Sequence, residues 1–195
     1  EICACLVGSE MCIRDSYGTP YPTEVLMAQT WNTDLLYDLG LAMGQEYADV
    51  NNYGVYGPAM NTHRSAFAGR NFEYYSEDGV LAGKLAAAQV NAMATKGTYN
   101  YIKHFALNDQ ETNRCAFLLT YSNEQAIREI YLKPFELCIK NFDGTQIAVM
   151  SSFNWIGTVP ACANEDTLTT ILRNEWGFQG MVITDYDGSY GYMIT

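Results

Sequence analysis

Residues 180–188 read Gly-Met-Val-Ile-Thr-Asp-Tyr-Asp-Gly, an apolar and β-branched run that ends on a carboxylate, Asp185, and then breaks into Asp-Gly turn chemistry. A buried strand that hands an acid to its C-terminal end places it where α/β barrels assemble their active sites, in the loops that follow the strands. Asp185 is therefore the first candidate catalytic residue; an aspartate that merely caps a turn or helix is the plain alternative. Three further strand ends carry their own side-chain sets: Asn61, His63, Arg64 and Arg70; Lys103, His104 and Arg114; Met150 and Phe153. Several cations and amides facing one carboxylate suit a polyhydroxylated ligand, because Arg and Lys donate to hydroxyls and favour the ionised form of a nearby acid. An ionised Asp is a nucleophile that can attack an anomeric carbon, forming a covalent ester that water then hydrolyses.

Positioning these groups takes a repeated pattern of strand, polar loop and helix. Leu35, Leu36, Leu39, Ala42, Met43 and Tyr47 recur at helical spacing after a cap at Asn32 or Thr33, and Gly54 to Met60 reads as a strand ending at Asn61. Ser76-Glu77-Asp78 opens a second helix that stops at Lys96-Gly97, with Glu73, Glu77 and Asp78 expected to hold the long loop or cap the helix. Tyr99 to Ile102 is a strand that delivers Lys103 and His104. Ser122-Asn123-Glu124-Gln125 resembles a capping box ahead of a helix running to Cys138, which Pro134 is expected to kink. Gln146 to Met150 is a third strand, a helix over 168–176 stops at Gly177, and the last strand runs to Asp185. Strands alternating with helices predict a parallel α/β sheet, and the loading of the strand ends predicts a partial TIM-type (β/α)8 barrel.

Composition narrows the function classes. Eleven basic against twenty-two acidic residues, a net charge of −11, argue against nucleic acid and anionic membrane surfaces. No run approaches 18 apolar residues, so no membrane-spanning segment is expected. No G-x-G-x-x-G opens a helix and no P-loop is present, so nucleotide cofactors are not expected. His63 and His104 stand 41 positions apart without acidic partners at ligand spacing, so no metal site is expected either. Trp31 and Trp176 read as packing residues, and Trp155 as a weaker candidate for stacking on a sugar. Residues 1–16 resemble the translation of a sequencing adapter, lack signal-peptide features and are set aside with Cys3, Cys5 and Cys12. Residues 17–195 are expected to be part of one catalytic barrel domain, and Cys115, Cys138 and Cys162 to be free thiols.

Six blocks in order, 69–78 (Gly-Arg-Asn-Phe-Glu-Tyr-Tyr-Ser-Glu-Asp), 103–106 (Lys-His-Phe-Ala), 110–114 (Gln-Glu-Thr-Asn-Arg), 129–136 (Glu-Ile-Tyr-Leu-Lys-Pro-Phe-Glu), 149–154 (Val-Met-Ser-Ser-Phe-Asn) and 175–185, resemble glycoside hydrolase family 3. The resemblance covers residues 17–195. It implies that Asp185 is the nucleophile, that Arg70, Lys103, His104 and Arg114 hold sugar hydroxyls, and that Met150 shapes the floor of the subsite. Phe153 stands where many members have Tyr. Cis peptide bonds are implied around Lys103 and His104. After Lys103-His104-Phe105 come Ala106, Leu107 and Asn108, not the Pro-Gly-His of the N-acetylhexosaminidase branch, so the resemblance implies the β-glucosidase-like branch. In that branch the general acid is a Glu from a second domain, which is expected to lie outside this chain. The expected activity is that of a retaining glycosidase releasing terminal β-D-glucose from a carbohydrate substrate. A β-xylosidase or other exo-β-glycosidase of the same family, a non-catalytic sugar-binding scaffold or inactive fragment, and a metal-dependent barrel enzyme remain the alternatives.

Overall fold

The structure is a computed structural model that describes residues 18–115 and 118–185. Residues 1–16, with Cys3, Cys5 and Cys12, and the Asp187-Gly188 turn lie outside the described residues. Elements follow as α1 (Glu24–Ala28), α2 (Thr33–Asp49), β1 (Gly54–Val55), α3 (Gly79–Ala94), β2 (Tyr99–Phe105), β3 (Leu119–Thr120), α4 (Glu124–Ala126), α5 (Lys133–Lys140), β4 (Ile147–Ser151), β5 (Trp155–Ile156), β6 (Val159–Pro160) and β7 (Val182–Ile183). The main sheet has the order β1-β2-β4-β7, every neighbouring pair parallel, so successive strands sit side by side with helices between them in the chain.

Two helices start where the sequence places them, because a side-chain oxygen meets the unpaired amides of the first turn. Asn32 accepts from the amides of Asp34 and Leu35 at 3.0 Å each, and Asp78 from those of Val80 and Leu81 at 2.8 and 3.2 Å. The helices pack closely through small residues. A Cβ on Gly40 would stand 2.6 Å from the Gln89 carbonyl, and one on Gly83 2.7 Å from Leu137, so glycine is required for α2 and α5 to approach α3. The core beneath them is centred on Phe105, which meets Phe135 and Trp176 edge-on at 5.3 and 6.0 Å. The fully buried Phe105 and Phe135 rings each contribute about 2 to 3 kcal/mol.

Four expectations change. The strand over 54–60 pairs only at Gly54 and Val55; past the cis Gly57-Pro58 bond, Ala59 forms single bridges to Tyr74 and Lys103, because Pro58 has no amide to continue the ladder. The predicted helix to Cys138 is not one kinked rod. α4 passes into a π turn over Ile127–Tyr131, closed by Leu132 N–H to Ile127 O at 2.8 Å, and α5 restarts with Pro134 in its first turn, where a missing amide costs nothing. The cap of α4 is Asn123, which accepts from the Ala126 amide at 2.8 Å. Trp31 is not packed but 70 % exposed, at the α1–α2 corner with φ +52°.

The approach to β7 is fixed by Arg173. It leaves a π-helical segment over Asp166–Glu175, stopped at Gly177 (φ +72°), and donates from one guanidinium nitrogen to the carbonyls of Phe178 and Gly180 at 3.1 and 2.6 Å while lying 5.1 Å over the Phe178 ring. A second small sheet, β3-β5-β6, was not legible in the sequence, since two-residue strands carry no periodicity.

Candidate active site

Every predicted site residue follows the C-terminal end of a main-sheet strand or ends one. Asp185 lies two residues past β7 and is 8 % exposed; Arg114 Nη1 is 3.6 Å and His104 Nε2 3.8 Å from its Oδ2. Lys103 and His104 lie in the last three residues of β2, and the bonds Lys103–His104 and Phe105–Ala106 are both cis. The His104 backbone is held from β1's side by Asn61, whose carboxamide accepts from the His104 amide at 2.8 Å and donates to its carbonyl at 2.9 Å. Burial pushes the His104 imidazole well below its usual value, and the charges of Arg70, Lys103 and Arg114 push the same way. The ring is therefore neutral, and its contact with Asp185 is not an ion pair.

Arg70 and Lys103 do not face Asp185 as isolated cations. Glu73, three residues on from Arg70 in a 3-10 turn over Asn71–Glu73, binds both: Lys103 Nζ at 2.7 Å, and Arg70 in bidentate fashion at 2.7 and 2.8 Å. Burial alone would raise the Glu73 carboxyl, but the Lys103 ammonium and the Arg70 guanidinium outweigh it and hold the group below its ordinary range. Glu111 then links Arg70 at 3.6 Å to Arg114 at 2.8 Å, and the Arg114 guanidinium lies 4.8 Å over the Phe153 ring. Three cations thus stand among three carboxylates, because burying charge without a partner is far costlier than burying a pair. The sequence reading placed Glu73 as a loop brace and gave Glu111 no role. The (i, i+3) spacings Arg70/Glu73 and Glu111/Arg114 were the available signal.

Met150, buried in β4, is the ladder partner of Ile183, and Phe153 follows at the end of the same strand. His63 braces the loop, its Nε2 2.7 Å from the Tyr74 carbonyl oxygen. Asp109 accepts from the Thr62 amide at 2.9 Å; burial pushes its carboxyl up to about 7 against the pull of that bond and of Arg64. Among the described residues no three His, Cys, Asp or Glu side chains cluster as a metal would require, and no helix is long and apolar enough to cross a membrane.

A family model for the glycosyl hydrolase family 3 N-terminal domain matches residues 4–193. The chain belongs to glycosyl hydrolase family 3. It is 44 % identical over 170 residues to β-glucosidase A of Butyrivibrio fibrisolvens, covering 87 % of this chain and 20 % of that protein. It superposes with a TM-score of 0.83 and 40 % identity on β-glucosidase 3B of Thermotoga neapolitana in complex with glucose, covering 93 % of this chain and 26 % of that one. A β-glucosidase from Streptomyces venezuelae in complex with D-glucose matches with a TM-score of 0.83 and 34 % identity over 88 % of this chain and 22 % of its own. The chain spans about a fifth of the length of the curated relatives it matches. Within family 3 the four parallel strands are part of the TIM-type barrel, and the rim that holds Asp185 is the rim where barrel enzymes carry their chemistry.

Proposed function

We propose that this chain carries the sugar-binding and nucleophilic half of a retaining exo-β-glycosidase that releases terminal β-D-glucose. Residues 17–195 are taken as part of its barrel domain and residues 1–16 as non-native. The Asp185 carboxylate attacks the anomeric carbon: a C1–O ester bond forms, the glycosidic bond breaks, and the leaving oxygen takes a proton from a Glu of a second domain, about 5 to 5.5 Å from Asp185 as retention requires. Water then attacks C1 and gives its proton to the same Glu, now a base, while the C1–O ester bond breaks and the Asp185 carboxylate returns. Arg70, Lys103 and Arg114 donate to sugar hydroxyls, neutral His104 offers a ring nitrogen to another, and Met150 and Phe153 form the apolar floor.

The observation that carries this reading is the nearly buried Asp185 carboxylate beside Arg114 and His104 at the strand ends. The glucose complexes of the two structural relatives support a hexose as ligand. In the full-length protein, an activated 2-fluoroglucoside is expected to label Asp185, located by peptide mass spectrometry, and Asp185→Asn is expected to abolish both labelling and aryl-glucosidase turnover. Turnover unchanged in Asp185→Asn rejects the assignment. Glucose binding in a wild type that never turns over identifies a sugar-binding scaffold instead.

A further inference from the structure

Glu24 lies in α1, before any residue the chemistry uses, and is 1 % exposed. Its Oε1 accepts from the Ala59 amide at 3.2 Å, and its Oε2 has no hydrogen-bond partner among the described residues. Ala59 is the residue whose bridges join two backbones, those of Tyr74 and Lys103. On either side of it, Pro58 O accepts from the Lys103 amide at 3.1 Å and the Met60 amide donates to Lys103 O at 2.9 Å. α1 itself packs on the 3-10 turn Asn71–Glu73. One buried carboxyl thus touches the seam that seats Lys103, on a helix that backs the turn carrying Glu73.

We propose that Glu24 is a positioning residue for the Glu73, Lys103 and Arg70 cluster, one that fixes the Ala59 seam beneath it while Glu73 serves as the anion shared by the two cations. The proposal rests on the reading of that cluster as the sugar grip. The charged groups that face Glu24 are Glu73 and Arg70 from the turn and Lys103 from β2, and the Tyr75 hydroxyl lies within electrostatic range. Burial raises the Glu24 carboxyl well above its ordinary value and the negative charge of Glu73 raises it further; the Ala59 amide, Lys103 and Arg70 pull the other way and do not prevail. A second ionised carboxylate here would compete with Glu73 for Lys103 and Arg70, loosening the geometry in which they meet a hydroxyl.

The test is made in the full-length protein with an aryl β-glucoside, alongside glucose binding by calorimetry and a melting curve for each variant. Glu24→Gln keeps the acceptor for Ala59 and the neutral charge, so KM, kcat and the glucose dissociation constant are expected within about threefold of wild type. Glu24→Leu removes the acceptor, and its folded fraction is expected to show KM and the glucose dissociation constant raised about tenfold or more, with the smaller change in kcat. Three results overturn the proposal: a tenfold loss of affinity in Glu24→Gln, which identifies an ionised counter-ion; wild-type constants in folded Glu24→Leu; or a lowered melting temperature with unchanged constants, which identifies packing alone. Should Glu24→Leu not fold, Glu24→Met, which has similar length and no carbonyl acceptor for the Ala59 amide, is read by the same thresholds. Glucose binding separates this outcome from failure of the catalytic reading, since Asp185→Asn tests turnover while Glu24 variants test the grip.

Discussion

The two sides of the pocket are built to different tightness. On one side Glu73 clamps Lys103 and Arg70 at 2.7 to 2.8 Å; on the other, Arg114 and His104 stand 3.6 and 3.8 Å from the Asp185 carboxylate. Short charge-assisted bonds lock the Lys103 and Arg70 side chains in place. On the proposed reading the difference separates gripping from reacting: Glu73 preorganises Lys103 and Arg70, and the proposed nucleophile is a different acid.

The largest effect that tests this contrast is at the reactive side. Asp185→Asn is expected to lower kcat on an aryl β-glucoside by more than about a thousandfold while glucose still binds, measured by steady-state kinetics and calorimetry. At the clamp, Glu73→Gln leaves two cations with a neutral partner. It is expected to lower kcat/KM about a hundredfold and stability by about 3 kcal/mol, read from denaturant unfolding. The sign of its pH dependence follows from the lowered Glu73 value. The stabilisation is complete above the unfolded value of 4.5 and lost as pH falls through the folded one, so wild type and Glu73→Gln should converge in acid. Phe153→Leu removes the ring under Arg114 and is expected to cost about three- to tenfold in kcat/KM. The smallest change is at the rim. Asp109 holds its proton more tightly folded (about 7) than unfolded (3.8), so wild-type stability falls as pH rises between those values and is level above them. Asp109→Asn should flatten that slope, seen as a melting temperature that gains on wild type from pH 5 to pH 8.

Much of this arrangement was legible in the chain. Apolar runs ending on Asp185, Lys103 and Met150 located the strand ends, and Asp78 and Asn32 announced their helices, because those signals are local: a periodicity, a cap, a carboxylate after β-branched residues. The partners of the cations were not legible in the same way. Glu73 reaches Lys103 across thirty positions and Glu24 reaches Ala59 across thirty-five, and no spacing rule connects such pairs. The isolated bridges of Ala59 and the two-residue strands of the small sheet depend on tertiary placement alone. Trp31, read as a packing residue, stands exposed at a corner, since hydrophobicity gives burial only on average.

Arg173 has a consequence for Asp185 that neither side of the pocket expresses. Its guanidinium reads two carbonyls, those of Phe178 and Gly180, at the entrance to β7, and a Cβ on Gly180 would collide with the Ile147 carbonyl. The register of the last strand is thereby held at its entrance as well as by its ladder to β4. A lysine at 173 keeps a single donor nitrogen for the two carbonyls but has no planar guanidinium to lie over the Phe178 ring and hold that nitrogen in place. Freed to slide by one position, the strand would turn every side chain to the opposite face, and Asp185 would leave Arg114 and His104 for the packing layer behind it.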